Sequence, residues 1–128
     1  MGCDIHIVLE RKVDGEWLGL HDFPYTSGGS YPARERNYRR FAMLANVRGD
    51  GPEPKGMPSD ASQLAKFLCD DYGSDGHSHS YGTMDEVLPI FVGTEYELDA
   101  YAAQYPASHF FGIEDDIDQH RIVYWFDN

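Results

Sequence analysis

The chain has 128 residues and a formal net charge of −12, and 41% of its residues are hydrophobic. This length suits one domain, and the composition predicts a packed core rather than disorder. The negative charge argues against general nucleic-acid binding, which needs Lys and Arg to neutralise phosphates, and against binding to an anionic membrane surface. Two cysteines, Cys3 and Cys69, give no disulfide framework and predict a reducing, cytoplasmic compartment. The sequence shows neither an 18-residue apolar run nor a signal-peptide pattern, so we expect no membrane association.

The first predicted element is a β-hairpin over residues 3–21. Residues 3–10 alternate with period 2, which places Ile5, Ile7 and Leu9 on a core-facing side. Asp14-Gly15 is a strong turn signal, and Glu16 to Leu20 alternates again. Residues 22–33 are then predicted to form a Gly/Ser/Pro loop with several aromatic residues.

Two amphipathic helices follow. The first is predicted over 33–46, because a helical stripe of apolar residues recurs there: Tyr38, Phe41, Leu44 and Ala45. After a Pro/Gly-rich loop at 49–58, the second is predicted over 60–71, with Ser59 or Asp60 as its N-cap and Gly73 as its stop. Its predicted buried face consists of Ala61, Leu64, Ala65 and Leu68.

The last part of the chain mixes short elements. Residues 73–82 are a polar loop or a short strand. Thr83 and Glu86 have capping-box spacing and predict a short helix ending near Pro89, and Thr94 and Glu97 predict another running to about Gln104. Residues 119–126 predict a terminal strand with Ile122, Tyr124 and Phe126 on one side, which we expect to pair with the first strand. The whole predicts a single α+β domain with a small antiparallel sheet and three or four helices.

Two pairs of side chains, Asp4 with His6 and His77 with His79, predict a metal site. On a strand, residues i and i+2 point the same way. Asp4 and His6 are therefore predicted to share one face, and the side chains of His77 and His79 are predicted to point in one common direction. The four side chains form an N/O set suited to Zn²⁺, Mn²⁺ or Fe²⁺. The alternatives are a solvated sheet face, or internal hydrogen bonding, for the first pair and an exposed polar loop with incidental histidines for the second.

An arginine cluster predicts an anion site. Five of the ten basic residues fall between positions 34 and 48. Arg36, Asn37 and Arg48 are the candidates for binding a phosphate, since guanidinium groups bind phosphate in a bidentate manner, and Tyr25 is a candidate for stacking on a ring. The alternative is that these arginines pair with surface carboxylates, and we prefer it for Arg39 and Arg40.

Several sequence blocks resemble a family of uncharacterised proteins from tailed phages and prophages. The blocks are MGCDIH at 1–6, RNY at 36–38, FAMLANVRG at 41–49, GMPSDAS at 56–62 and HSHSYGTMDEV at 77–87, and they span about the first two-thirds of the chain. The resemblance implies a phage origin and action inside a bacterial cell, but no activity. The residues within these blocks that it draws attention to are Asp4, His6, Arg36, Asn37, Arg48, Asp60 and His79.

Three functions remain open at this point. The first is a metal-dependent hydrolase acting on a nucleotide-like phosphate ligand, in which the metal activates water and Asp4 and His79 are the catalytic candidates. The second is a non-enzymatic phage protein that sequesters a nucleotide signal. The third is an acidic inhibitor of a host nucleic-acid enzyme, acting through carboxylates at 95–99 and 114–118.

Overall fold

The structure, a computed structural model, describes residues 3–23, 38–49, 51–92 and 117–127. Its elements in chain order are β1 (Asp4–Val13), β2 (Glu16–Phe23), α1 (Tyr38–Ala45), α2 (Gln63–Tyr72), β3 (Gly76–Thr83), α3 (Met84–Val92) and β4 (His120–Asp127). The strands form one antiparallel sheet in the order β2-β1-β4-β3. The predicted α+β class with a small antiparallel sheet is therefore confirmed, and β4 pairs with β1 as expected.

The sheet is covered on both faces. On one face, Ile5, Ile7 and Leu9 of β1 pack with residues of α1 and α3 in the larger core cluster. On the other face, Val8, Val123 and Trp125 form a second cluster beneath α2. Val8 is fully buried, so the alternative of a solvated second face is wrong along the middle of β1. The described residues thus form three layers, with the sheet between α2 and the α1/α3 pair.

The N-terminal hairpin is confirmed. Asp14 and Gly15 have φ angles of 52° and 82°, as an Asp-Gly hairpin turn requires. β2 runs on to Phe23, further than predicted. Most of the predicted 22–33 loop, the first residues of the predicted 33–46 helix and the whole predicted helix at 94–104 lie outside the described residues.

The N-cap predicted for α2 is wrong. The helix begins at Gln63, and its cap is Ser62, whose side chain accepts a hydrogen bond from the backbone N–H of Ala65 at 3.2 Å. Asp60 does not cap the helix because its carboxylate binds Arg121 at 3.0 Å. The helix ends at Gly73 as predicted, with φ 55° at that residue.

The region after α2 is more regular than predicted. Residues 76–83 form the strand β3, which the sequence left open between loop and strand. The capping box is confirmed, since the Thr83 N–H donates to Glu86 at 3.0 Å and the Glu86 N–H donates to Thr83 at 3.3 Å. The predicted end near Pro89 is wrong, because α3 continues to Val92. The helix continues although proline lacks an N–H and crowds the preceding turn, and Ile90 beyond it packs against the core.

Candidate functional site

The ends of three strands lie side by side at one end of the sheet. β1 begins at Asp4, β3 begins at Gly76 and β4 ends at Asp127, and Asp127 is the Cα partner of both other residues. Because side chains alternate along a strand, Asp4 and His6 of β1 share the α2 face with Trp125 and Asp127 of β4. The register therefore confirms the prediction that Asp4 and His6 share one face.

His6 is the centre of a polar cluster on this face. Its Nδ1 lies 3.0 Å from the hydroxyl of Tyr72, the last residue of α2, and the two ring centroids are 4.1 Å apart. Its Nε2 lies 3.2 Å from Oδ1 of Asp127. The imidazole is 15% exposed and the carboxylate 26% exposed. We call His6, Tyr72, Trp125 and Asp127 the His6 site.

His6 and Asp127 lie within ion-pair distance of each other, but no hydrogen bond joins them. Nε2 is buried and has no hydrogen-bond partner, although the carboxylate oxygen is only 3.2 Å away. At that distance the oxygen must lie well off the N–H axis, since an aligned N–H would reach it. A carboxylate beside the nitrogen, rather than in line with it, is how two ligands of one metal ion are arranged.

His77 and His79 do not face one way, so that prediction is wrong. Ser78 between them has a φ of 57°, and the β3–β4 register shifts at this point. His77 stacks against Phe126 and His79 against Trp125, each with ring centroids 6.3 Å apart. Phe126 and Trp125 are neighbours on β4 and point to opposite faces. The bulge thus sends His79 to the α2 face and His77 to the α1 face.

The four predicted metal ligands are therefore separated by the sheet. Asp4, His6 and His79 lie on the α2 face, whereas His77 does not. Within the four described ranges, no group of three or more His, Cys, Asp or Glu residues is arranged to hold a metal ion. The close contact on the α2 face instead joins His6 to Asp127. No pattern in the sequence singles out Asp127.

His79 lies in an environment that favours a neutral ring. Burial lowers the pKa of His79 below its ordinary value, and the nearby His77 lowers it further. Its Nε2 would lie 3.3 Å from a Cβ atom built on Gly76. The neighbouring Trp125 is 1% exposed, and its Nε1 has no hydrogen-bond partner.

The predicted anion site is only partly described. Arg36, Asn37 and Tyr25 lie outside the described residues. Arg48 is exposed and its guanidinium lies 4.5 Å above the Tyr38 ring. The Tyr38 hydroxyl accepts the backbone N–H of Cys3 at 3.0 Å, so Arg48 lies near the start of β1, close to the strand ends but on the α1 side.

A second polar network, which sequence reasoning missed, lies at the opposite end of α2. The Glu10 side chain is fully buried, and its carboxylate accepts the Ser62 backbone N–H and the Arg121 Nε–H, each at 2.6 Å. The Arg121 guanidinium also lies 4.1 Å from the centroid of the Trp17 ring. Both charged residues lie near strand ends, next to Arg11 and His120, so no local signal set them apart. This network joins the start of α2 to β1 and β4.

An open groove of about 680 Å³ adjoins this network, far from the His6 site. Its walls include Trp17, Gly19, Asp60, Ser62 and Leu64. The Asp60 carboxylate and the Ser62 hydroxyl are already bonded within the protein. We therefore favour the His6 site, where buried polar atoms lack partners, as the candidate functional site.

No helix in the described ranges is long and apolar enough to cross a membrane. Comparisons of the chain with models of known protein families, with curated proteins and with solved structures found no match. The resemblance to phage proteins therefore stays a prediction, and the function is inferred from the site.

Proposed function

We propose that the protein is a phage-encoded, metal-dependent hydrolase that acts on a nucleotide-like phosphate ligand, with the metal ion between His6 and Asp127. The observation that carries this proposal is the position of the Asp127 oxygen, 3.2 Å from His6 Nε2 but without a hydrogen bond to it. A cation between the two atoms would satisfy both.

The spacing of the two atoms fits this use. Ligand atoms about 2.0–2.2 Å from one transition-metal ion lie roughly 2.8–3.6 Å apart when the angle between them is between 90° and the tetrahedral value. Metal-binding histidines usually donate their other N–H to a fixed acceptor, which sets the tautomer. With a metal ion on Nε2 of His6, the Tyr72 hydroxyl, 3.0 Å from Nδ1, would be that acceptor.

The proposed ligand set differs from the one expected from the sequence. His6 and Asp127 are its two protein ligands. An N/O set of this kind suits Zn²⁺, Mn²⁺ or Fe²⁺. Two protein ligands leave other coordination positions for water and substrate, whereas catalytic zinc sites usually have three protein ligands.

The chemistry follows from the ion and its surroundings. A bound divalent ion supplies a water of lowered pKa and polarises a phosphoryl oxygen. His79, on the other flank of the Trp125 ring, is the candidate base, since its lowered pKa keeps it unprotonated near neutral pH. The chain carries a net charge of −12, which repels an anionic ligand. A bound cation would offset this repulsion at this end of the sheet.

The test is metal binding by protein prepared without a histidine tag. We expect the native chain to bind about one equivalent of Zn²⁺ or Mn²⁺ by calorimetry and elemental analysis, and Asp127→Asn and His6→Gln to lose it. His77→Ala is the matched control, since it removes an imidazole from the opposite face and should retain the metal. Absence of binding in the native chain, or equal loss in His77→Ala, would refute the proposed centre.

Activity is tested separately, on the metal-loaded protein. We expect release of nitrophenol from bis(4-nitrophenyl) phosphate or cleavage of a nucleotide phosphoester, both reduced in Asp127→Asn. Recovery of the intact nucleotide in stoichiometric amount would instead assign a binding protein.

A further inference from the structure

The outer edge of β2 is an uncovered strand edge. β2 lies at one end of the strand order and, among the described residues, pairs with β1 alone. The other edge strand, β3, is covered by the chain itself, since the Gly56 N–H donates to the His79 carbonyl at 2.8 Å and the Lys55 N–H donates to the Ser80 hydroxyl at 3.1 Å. An uncovered edge presents backbone N–H and C=O groups with which another extended chain can pair.

The open groove of about 680 Å³ borders this edge. Its walls are the β2 side, which includes Glu16 to Gly19, and the start of α2, which includes Asp60 to Lys66. Gly19 lets the two walls approach each other, because a Cβ atom on it would lie 2.6 Å from Cβ of Leu64. Ligand pockets usually measure about 300–1,000 Å³. An added peptide strand is recognised by such a combination, in which the edge binds its backbone and a pocket takes alternate side chains.

The same edge carries exposed apolar side chains. Val13, Leu18 and Leu20 are 41%, 47% and 47% exposed, and they are three of the five exposed large hydrophobic residues in the described ranges. Trp17 and Leu18 point to opposite faces of β2, since side chains alternate along a strand. A strand added beside β2 would therefore meet an apolar side chain on each face, Trp17 on the α2 face and Leu18 on the other.

We infer that the β2 edge and its groove bind an extended, basic peptide segment of a partner protein, which adds a fifth strand to the sheet. The peptide backbone pairs with the regular stretch from Glu16 to Gly19, and its alternate side chains enter the groove beside Trp17 and Leu64. Pairing stops at Leu20, the extra residue at the β1–β2 register shift, because a bulge interrupts a strand edge. This surface is separate from the His6 site and does not depend on the proposed metal centre.

Charge favours a basic partner over a second copy of this chain. The net charge of −12 makes two copies repel each other. Among the residues that line the groove, the acids Glu16 and Asp60 outnumber the one base, Lys66. The Asp60 side chain is 63% exposed although it also binds Arg121. Lysine or arginine residues that flank the apolar positions of the peptide would lie close to these carboxylates.

The test begins with a yeast-displayed library of random dodecapeptides, probed with the native chain. We expect the selected peptides to carry apolar residues flanked by lysine or arginine. In solution, Leu18→Lys should weaken the binding of a selected peptide about tenfold or more, and Glu16→Lys should weaken it more at low salt than at high salt. Phe67→Lys is the matched control, since Phe67 is 70% exposed but does not line the groove, and it should bind like the native chain.

Two further measurements test the pairing itself. Methylation of one alternate set of peptide backbone nitrogens should abolish binding, whereas methylation of the other set should be tolerated, because only one set faces β2. Binding should also slow the hydrogen exchange of amides between Glu16 and Gly19.

Failure to select any peptide, equal binding by Leu18→Lys, or unchanged amide exchange at this edge with peptide bound would each overturn the inference. A dimer of the native chain that Leu18→Lys abolishes would overturn it as well, by assigning the edge to a second copy. Metal binding at the His6 site is measured independently, so either proposal can fail without the other.

Discussion

Replacing Glu10 by Gln tests whether the buried network at the start of α2 stabilises the fold. The Glu10 carboxylate is fully buried and accepts the Ser62 N–H and the Arg121 Nε–H, both at 2.6 Å. An amide keeps one acceptor oxygen but presents an NH₂ group to the other donor. It also leaves the 7% exposed Arg121 side chain without its buried counter-charge.

Removing one partner of a buried ion pair costs about 3–5 kcal/mol. We expect a value near the lower end, about 3 kcal/mol, because the Asp60 carboxylate still lies 3.0 Å from the Arg121 guanidinium. Domains of this kind are stabilised by about 5–15 kcal/mol in total. Urea unfolding followed by circular dichroism should therefore show a much lower midpoint with an unchanged slope.

Two variants separate this effect from a general loss of charge. Asp60→Asn removes a carboxylate that is 63% exposed, and should cost no more than about 1 kcal/mol. The double variant Glu10→Met with Arg121→Met leaves no unpaired buried charge, although the Ser62 N–H loses its acceptor, and should recover part of the lost stability. If Glu10→Gln unfolds within about 1 kcal/mol of the native chain, the network does not stabilise the fold as reasoned here.

Three further predictions concern the helix cap and pH. Ser62→Ala should lower the free energy of unfolding by about 1 kcal/mol in urea titrations, since Ser62 caps α2. The pKa of His79 is lowered from 6.5 in the folded state, so the unfolded chain binds the proton more tightly and protonation favours unfolding as pH falls below 6.5. His79→Gln should therefore reduce the loss of thermal stability between pH 7 and 5. The pKa of Glu86 is lowered from 4.5, first by the Thr83 backbone N–H and then by Lys55. The stability that ionised Glu86 contributes is lost as pH falls below 4.5, and Glu86→Gln should remove this part of the decrease in thermal stability at acid pH.

Residue alternation was enough to predict much of the fold. The period-2 patterns of residues 3–10 and 119–126 gave the two central strands, and the Asp14-Gly15 turn gave the hairpin, because each signal is local. The cap of α2 was misplaced because Asp60 and Ser62 are both acceptable caps by sequence. Which of them caps the helix depends on Arg121, 61 residues away from Asp60 in the chain.

The site was harder to predict for the same kind of reason. His77 and His79 match a same-face pattern only if the strand is regular, and the positive φ of Ser78 breaks that regularity. Asp127 becomes a neighbour of His6 only through the β1–β4 register. Tyr72 enters the site because α2 covers this face of the sheet. Each of these facts depends on tertiary structure, and no local signal in the sequence carries it.

The two polar clusters are joined by α2, which gives the helix a role beyond covering the sheet. The helix has ten residues and is therefore about 15 Å long. Its first turn is fixed by the bond from Ser62 to buried Glu10, and its last residue, Tyr72, holds His6 Nδ1. A rotation or shift at the Glu10 end would move the Tyr72 hydroxyl relative to His6, since the helix is rigid. We therefore expect the buried network to influence the orientation of His6, and through it the spacing to Asp127 on which the proposed metal centre depends.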